Sequence, residues 1–199
     1  MRQVEQQQQS TYEKIIEKNG LTFIKSTPNR FNLTFDVNNK NIILSSIINF
    51  EIIQLINKLN PNIFETMSTS DNNDNNKDSK DNENKIFHIL LKDIFCDLGM
   101  PQYYLALNIH KYDYETNKIL FKCESLTNKL DMYPDDVELL PIKTINIYFN
   151  IVNNHSIKIN CDIDLIDKHN IPIFSEKIIG NIIYNIFNRL KQFIEKVSF

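Results

Sequence analysis

Residues 171–197 read IPIFSEKIIGNIIYNIFNRLKQFIEKV. Stepped at about 100° per residue, Ile178, Ile179, Ile182, Ile183, Ile186, Phe187, Leu190, Phe193, Ile194 and Val197 gather on about half of a helical circumference. Some 24 residues of helix would span roughly 36 Å. Ser175 offers an N-terminal cap. Gly180 lies near the edge of the stripe, where it either lets another backbone come close or is a weak point of about 1 kcal/mol against alanine. A stripe this broad needs an equally broad apolar partner.

That partner is written just upstream. In TINIYFNIVNNHSIKINCDIDL, residues 144–165, Ile145, Ile147, Phe149 and Ile151 alternate with polar residues. Ile157, Ile159, Cys161, Ile163 and Leu165 do the same. Strict alternation marks strands with one buried face. Pairing Ile151 with Ile157 matches apolar with apolar along the whole ladder, which predicts a hairpin with the loop Asn153-Asn154-His155. Further strands are predicted at NRFNLTFDV (Phe31, Leu33, Phe35, Val37), at LTFIKS before it with Pro28-Asn29 in the turn, at QYYLALNIHKY and at KILFKCES. The stretch LDMYPDDVELLPI has room for one more.

Helices are predicted at three other places. Tyr12, Ile15 and Ile16 have helical spacing, with Asn19-Gly20 as a stop. Ile48, Ile52, Leu55, Ile56 and Leu59 form a stripe ended by Pro61. In KIFHILLKDIFCDLG, Ile86, Phe87, Leu90, Leu91, Ile94, Phe95 and Leu98 share a helical face, and Gly99 caps it. The fold class is therefore α+β: an antiparallel sheet packed against a long C-terminal helix, with two or three further helices N-terminal to the main strands. A chain of 199 residues with 42% apolar content fits one domain. Residues 1–9 read as a flexible tail and 10–199 as the domain. Within it, residues 67–85 carry five acidic residues, three lysines and, after Met67, nothing apolar, which predicts a disordered loop.

The order strand, two helices, several antiparallel strands, long C-terminal helix resembles the helix-grip architecture of the Bet v 1 and START superfamily. The resemblance runs over about residues 30–197 and rests on HSIKINCDIDL as a last strand followed by FSEKIIGNIIYNIFNRLKQFIEKV as the gripping helix. It implies a hydrophobic ligand held between sheet and helix. Phe149, Ile159, Ile179, Ile183, Ile186 and Leu190 are then the candidate pocket residues.

The net charge of −3 gives no basic surplus for a phosphate backbone, which argues against nucleic acid. No Gly-rich phosphate loop, G-x-S-x-G, H-E-x-x-H or C-x-x-C occurs. No catalytic residue, metal ligand set or cofactor is assigned, and a non-enzymatic role is expected. Asp162 and Asp164 share one side of a strand, and Asp131, Asp135 and Asp136 cluster in a turn; solvated surface is the expectation for both groups. Cys96, Cys123 and Cys161 are widely spaced and odd in number, which suits buried thiols in a reducing compartment. The N-terminal residues lack the apolar core of a signal peptide, and no stretch is apolar enough to span a membrane. The expectation is an intracellular protein. Abundant Ile, Asn and Lys beside a single alanine, Ala106, point to an AT-rich genome such as that of a large DNA virus. Two functions remain open: a binding protein enclosing a hydrophobic small molecule, or an interaction or assembly subunit with a solid core and a protein partner or second copy of itself. A basic lean on the polar side of the last helix (Lys177, Arg189, Lys191 and Lys196 against Glu176 and Glu195) leaves binding to a lipid surface as a lesser option.

Overall fold

The computed structural model describes residues 12–71, 83–94, 96–126, 133–166 and 173–198. The expected tail at 1–9, residues 72–82 of the expected loop, and Phe95 and Asp131 lie outside them.

The hairpin expected at residues 144–165 forms as its alternation dictates. Here the strands are β9 (Ile142–Asn153) and β10 (Ser156–Leu165), and Ile151 pairs with Ile157. The turn itself is Asn154-His155, and the register slips beside it, so the odd residue is absorbed as a bulge at Val152 rather than in a three-residue loop. On its other edge β10 pairs with β3 (Arg30–Asn38), which joins to β2 (Leu21–Thr27) through Pro28-Asn29. Phe31, Leu33, Phe35 and Val37 are buried.

The segment expected to be a leading helix is β1 (Glu13–Lys18), paired with β2. Asn19 (φ 52°) and Gly20 (φ 71°) both adopt left-handed conformations. That is the two-residue hairpin turn for which Asn-Gly is the favoured sequence, not a helix stop. A register shift between Lys14 and Ile16 makes Ile15 the extra residue, so adjacent isoleucines both reach inward. That local break in alternation is what imitated helical spacing.

After β3 the chain makes a short 3-10 turn (Leu44–Ile47) and then α1 (Glu51–Leu59). The expected helix is thus shorter than its stripe. The Glu51 N–H donates to the Asn49 side-chain oxygen at 2.8 Å just before the first turn, and the helix has no side-chain cap at Phe50. Next come β4 (Phe64–Asp71) and β5 (Glu83–Leu91), which correct two expectations. Residues 67–71 and 83–85 are strand, not loop. The expected second helix is a strand, followed by a 3-10 turn at Cys96–Leu98. β5 lies between β4 and β6 (Gln102–Glu115). Phe87, Ile89 and Leu91 enter the main core, while Leu90 packs on the opposite side with Tyr104, Ala106 and Val137. A strand buried on both sides loses its alternation, and a helical count then fits it equally well.

β7 (Lys118–Ser125) connects β6 to β9. β8 (Val137–Leu139), within the stretch with room for a strand, runs parallel to the start of β6. The sheet order is β1-β2-β3-β10-β9-β7-β6-β5-β4, with β8 to one side. Large aromatic rings fill its inner face. Phe50 stacks on Phe87 and meets Phe121 edge-on at 5.5 Å, and Phe121 meets Phe149 at 5.7 Å.

The last element, α2 (Ile173–Lys196), crosses this face. Ser175 lies inside the helix and so is not its cap. The nearest backbone neighbours of α2 are α1 and strands β1 to β3. Glu176, 5% exposed, pairs with Lys25. In the middle, Asn19 Nδ2 donates to the Tyr184 hydroxyl at 2.7 Å. A Cβ on Gly180 would lie 2.7 Å from Ile15 Cγ2, so this glycine serves close approach to β1. Gly180→Ala is expected to destabilise by about 1 kcal/mol, because overpacking of about 1–3 kcal/mol outweighs the roughly 1 kcal/mol gained in helix propensity. In an Ile15→Ala background the same change should become stabilising. Thermal unfolding of the four proteins checks the reversal of sign.

Candidate functional site

Among the described residues, α1, α2 and the sheet meet around a small apolar void. Ile52, Ile53 and Ile56 descend from α1, and Phe187 and Leu190 from α2. They meet Phe121 of β7, Ile147 and Phe149 of β9 and Ile159 of β10. The register brings the sheet residues together: Ile159 is opposite Phe149, and Ile147 is opposite Phe121. Every lining residue is apolar, and the remaining void is about 10 Å³. A space of that size is at the lower limit for one water, and an apolar wall gives a water nothing to bond. This void is too small and too apolar to hold a ligand as it stands.

Of the six expected pocket residues, Phe149, Ile159 and Leu190 line this void and are almost fully buried. Ile183 and Ile186 are half-buried against the main core without reaching the void, and half-buried Ile179 also stands apart from it. Ile52, Ile53, Ile56, Phe121, Ile147 and Phe187 complete the lining. Their signal was present in the sequence, since all but Ile53 belong to the apolar stripes. What the stripes lacked was the position of α1 over the sheet.

The two helices are joined at one end of this seam. Arg189 Nη1 on α2 donates to the Leu59 carbonyl at 3.3 Å, to Asn60 Oδ1 at 3.4 Å and to Asn62 Oδ1 at 2.5 Å.

The titratable groups offer little chemistry. Cys123 and Cys161 are buried and free. Burial pushes the Cys123 thiol up to about 12 and also raises that of Cys161, so both stay protonated. Among the described residues no three His, Cys, Asp or Glu side chains gather as a metal site. Asp164 accepts from Arg30 Nε at 2.6 Å and from Thr144 Oγ1 at 3.1 Å, and Asp162 accepts from Asn32 at 2.6 Å. The Arg30 hydrogen bond foremost holds the Asp164 carboxyl below its ordinary range. His88, half-buried on β5, is kept neutral more readily by burial. Among the described residues no helix is long and apolar enough to cross a membrane.

No protein-family model matches the sequence, and no curated protein matches it. Solved structures do. The human StarD13 (DLC2) lipid transfer and protein localization domain superposes with a TM-score of 0.65 at 12% identity, covering 94% of this chain and 91% of that one. Human StAR-related lipid transfer protein 5 gives 0.66 at 7% identity over 96% and 88%. A STAR-related lipid transfer protein fragment from Xanthomonas axonopodis gives 0.60 at 8% identity over 93% and 99%. At these identities the likeness is one of fold. The chain has the helix-grip, START-like architecture: a large antiparallel sheet with a long C-terminal helix laid over its inner face.

Proposed function

We propose that this protein is a non-enzymatic binding protein that takes a hydrophobic small molecule between the sheet and its two helices. One observation carries the reading: the seam where α1, α2 and the sheet meet is lined by apolar side chains alone. Ligand sites are mostly apolar clefts placed where elements join. Solved structures of the same fold are named for lipid transfer, which supports a hydrophobic ligand.

The closed seam sets a condition. A ligand must part α1 from α2, and the bonds of Arg189 to Leu59, Asn60 and Asn62 oppose that movement. The alternative is an interaction or assembly subunit with a solid core, and the small size of the void favours it.

The test is native mass spectrometry after incubation with vesicles of phosphatidylcholine, phosphatidylethanolamine, cholesterol and oleic acid, beside a denatured and extracted sample. The expected result is one added lipid mass per chain, taken up faster by Arg189→Ala. A bare chain mass under all conditions, in both proteins, would sink the proposal in favour of the solid core.

A further inference from the structure

The outer face of the sheet, turned away from the helices, carries a second cleft. In register, Tyr112, Leu120, Tyr148 and Asn160 stand side by side across β6, β7, β9 and β10. The β6–β7 ladder slips between Asp113 and Glu115, so Tyr114 is the extra residue of a bulge. Bulges re-aim side chains. The Tyr114 ring lies edge-on to Tyr112 at 6.4 Å and is 67% exposed, while Tyr148 is 38% exposed. Together with Lys118, Leu120, Asn150 and Asn160 they line a cleft of about 370 Å³. That lies at the lower end of the range for small-molecule sites, roughly 300–1,000 Å³.

Charge and hydrogen-bonding chemistry restrict the occupant. Arg30 is held by Asp164 at 2.6 Å, and Lys122 by Glu124 at 2.6 Å. Lys118, in the cleft wall, likewise has an interaction partner, so none of these three cations stands bare for an anion or a nucleic-acid backbone. The polar groups in the cleft are the Asn150 and Asn160 amides, the Tyr114 and Tyr148 hydroxyls and the Lys118 ammonium, and each amide has both a donor and an acceptor. The Asn160 oxygen shares the single Thr34 hydroxyl proton, at 3.1 Å, with Asn32 Oδ1 at 3.0 Å, so this amide keeps acceptor capacity as well as its N–H groups for a ligand. Exposed tyrosine side chains with neutral amides beside them suit a molecule with one apolar face and hydroxyls around its rim.

We propose that this cleft is a subsite for a neutral pyranose saccharide. The sugar's C–H face lies on Tyr114 and Tyr148, and Asn150 and Asn160 bond its hydroxyls. The site lies on the opposite side of the sheet from the apolar seam and does not depend on it.

An array of neutral and acidic glycans, probed with the full chain beside a single-stranded oligothymidine control, tests this. Binding to neutral pyranose glycans is expected. Loss of a stacking ring in Tyr114→Ala or Tyr148→Ala should weaken it about tenfold, the equivalent of about 1.4 kcal/mol. Tyr148→Phe, which keeps the ring, should bind within about twofold of the parent protein. Circular dichroism establishes that the exposed-site variants are folded. Silence across the neutral glycans, binding unchanged in both alanine variants, or binding only to acidic glycans or the oligonucleotide would overturn the proposal.

Discussion

Phe121→Ala is expected to lower the unfolding free energy by about 3–5 kcal/mol, the cost of deleting a fully buried aromatic ring. Phe121 has no exposed surface, touches Phe50 and Phe149 edge-on, and forms part of the wall of the apolar void. The cost has two parts: the transfer free energy of the ring, and the space its rigid strand neighbours cannot close. The second part has its own signature. Removing the ring beside an existing void enlarges it, and dry apolar cavities bind small apolar molecules. Benzene should therefore raise the melting temperature of the variant, through binding to the folded state alone, and leave the parent protein unchanged. Denaturant unfolding measures the first effect, and thermal unfolding with and without benzene the second. A loss below about 1.5 kcal/mol without any benzene response would mean that the interior collapses around the missing ring.

Asn39→Asp tests the far end of α2 and should cost about 3 kcal/mol at neutral pH, from lost hydrogen bonds to buried carbonyls and charge at a helix C-terminus. Asn39 is 3% exposed. Its Nδ2 donates to the carbonyls of Ile194 and Val197 at 2.6 and 2.7 Å, and its Oδ1 accepts from the Asn41 N–H at 2.8 Å. The side chain ends the helix from another part of the chain. Aspartate keeps the shape, removes both donors and sets a negative charge against carbonyl oxygens. Those oxygens favour the protonated acid, so the folded-state pKa of the new group rises above its unfolded value. The charge part of the penalty is then complete above the folded pKa, fades as pH falls between the folded and unfolded values, and is gone below the unfolded value near 4. Unfolding at pH 7 and pH 4 should show the gap from the parent protein narrowing in acid. An equal gap at both would show that the charge is not what destabilises.

Neither of these positions stands out in the sequence. Asn39 is one asparagine among many, and its role depends on a helix end 155 residues away. Phe121 was legible as a residue of a core-facing strand, but not as a wall shared with α1. The seam itself was half legible. Phe149, Ile159 and Leu190 follow from strand alternation and the helical stripe, whereas Ile183 and Ile186 obey the same stripe and miss the void because α2 lies nearest to β1, β2, β3 and α1.

The sequence alone determined the elements with one wet and one dry side. β3, β9, β10 and α2 each present a single apolar face, so period 2 or period 3.6 is written directly in their residues. It also determined the pairing of Ile151 with Ile157 against a one-residue slip, which would set Ile151 against Ser156 and turn one strand's isoleucines outward. Only the tertiary structure decided β1, β4 and β5. The bulge at Ile15 hides the alternation of β1. β4 is polar and holds its place through backbone hydrogen bonds to β5, which side-chain hydropathy does not record. β5 is apolar on both sides because separate clusters cover it. The size of the interior void was likewise beyond the sequence: it is the difference between the space enclosed and the side chains that fill it, summed over elements far apart in the chain.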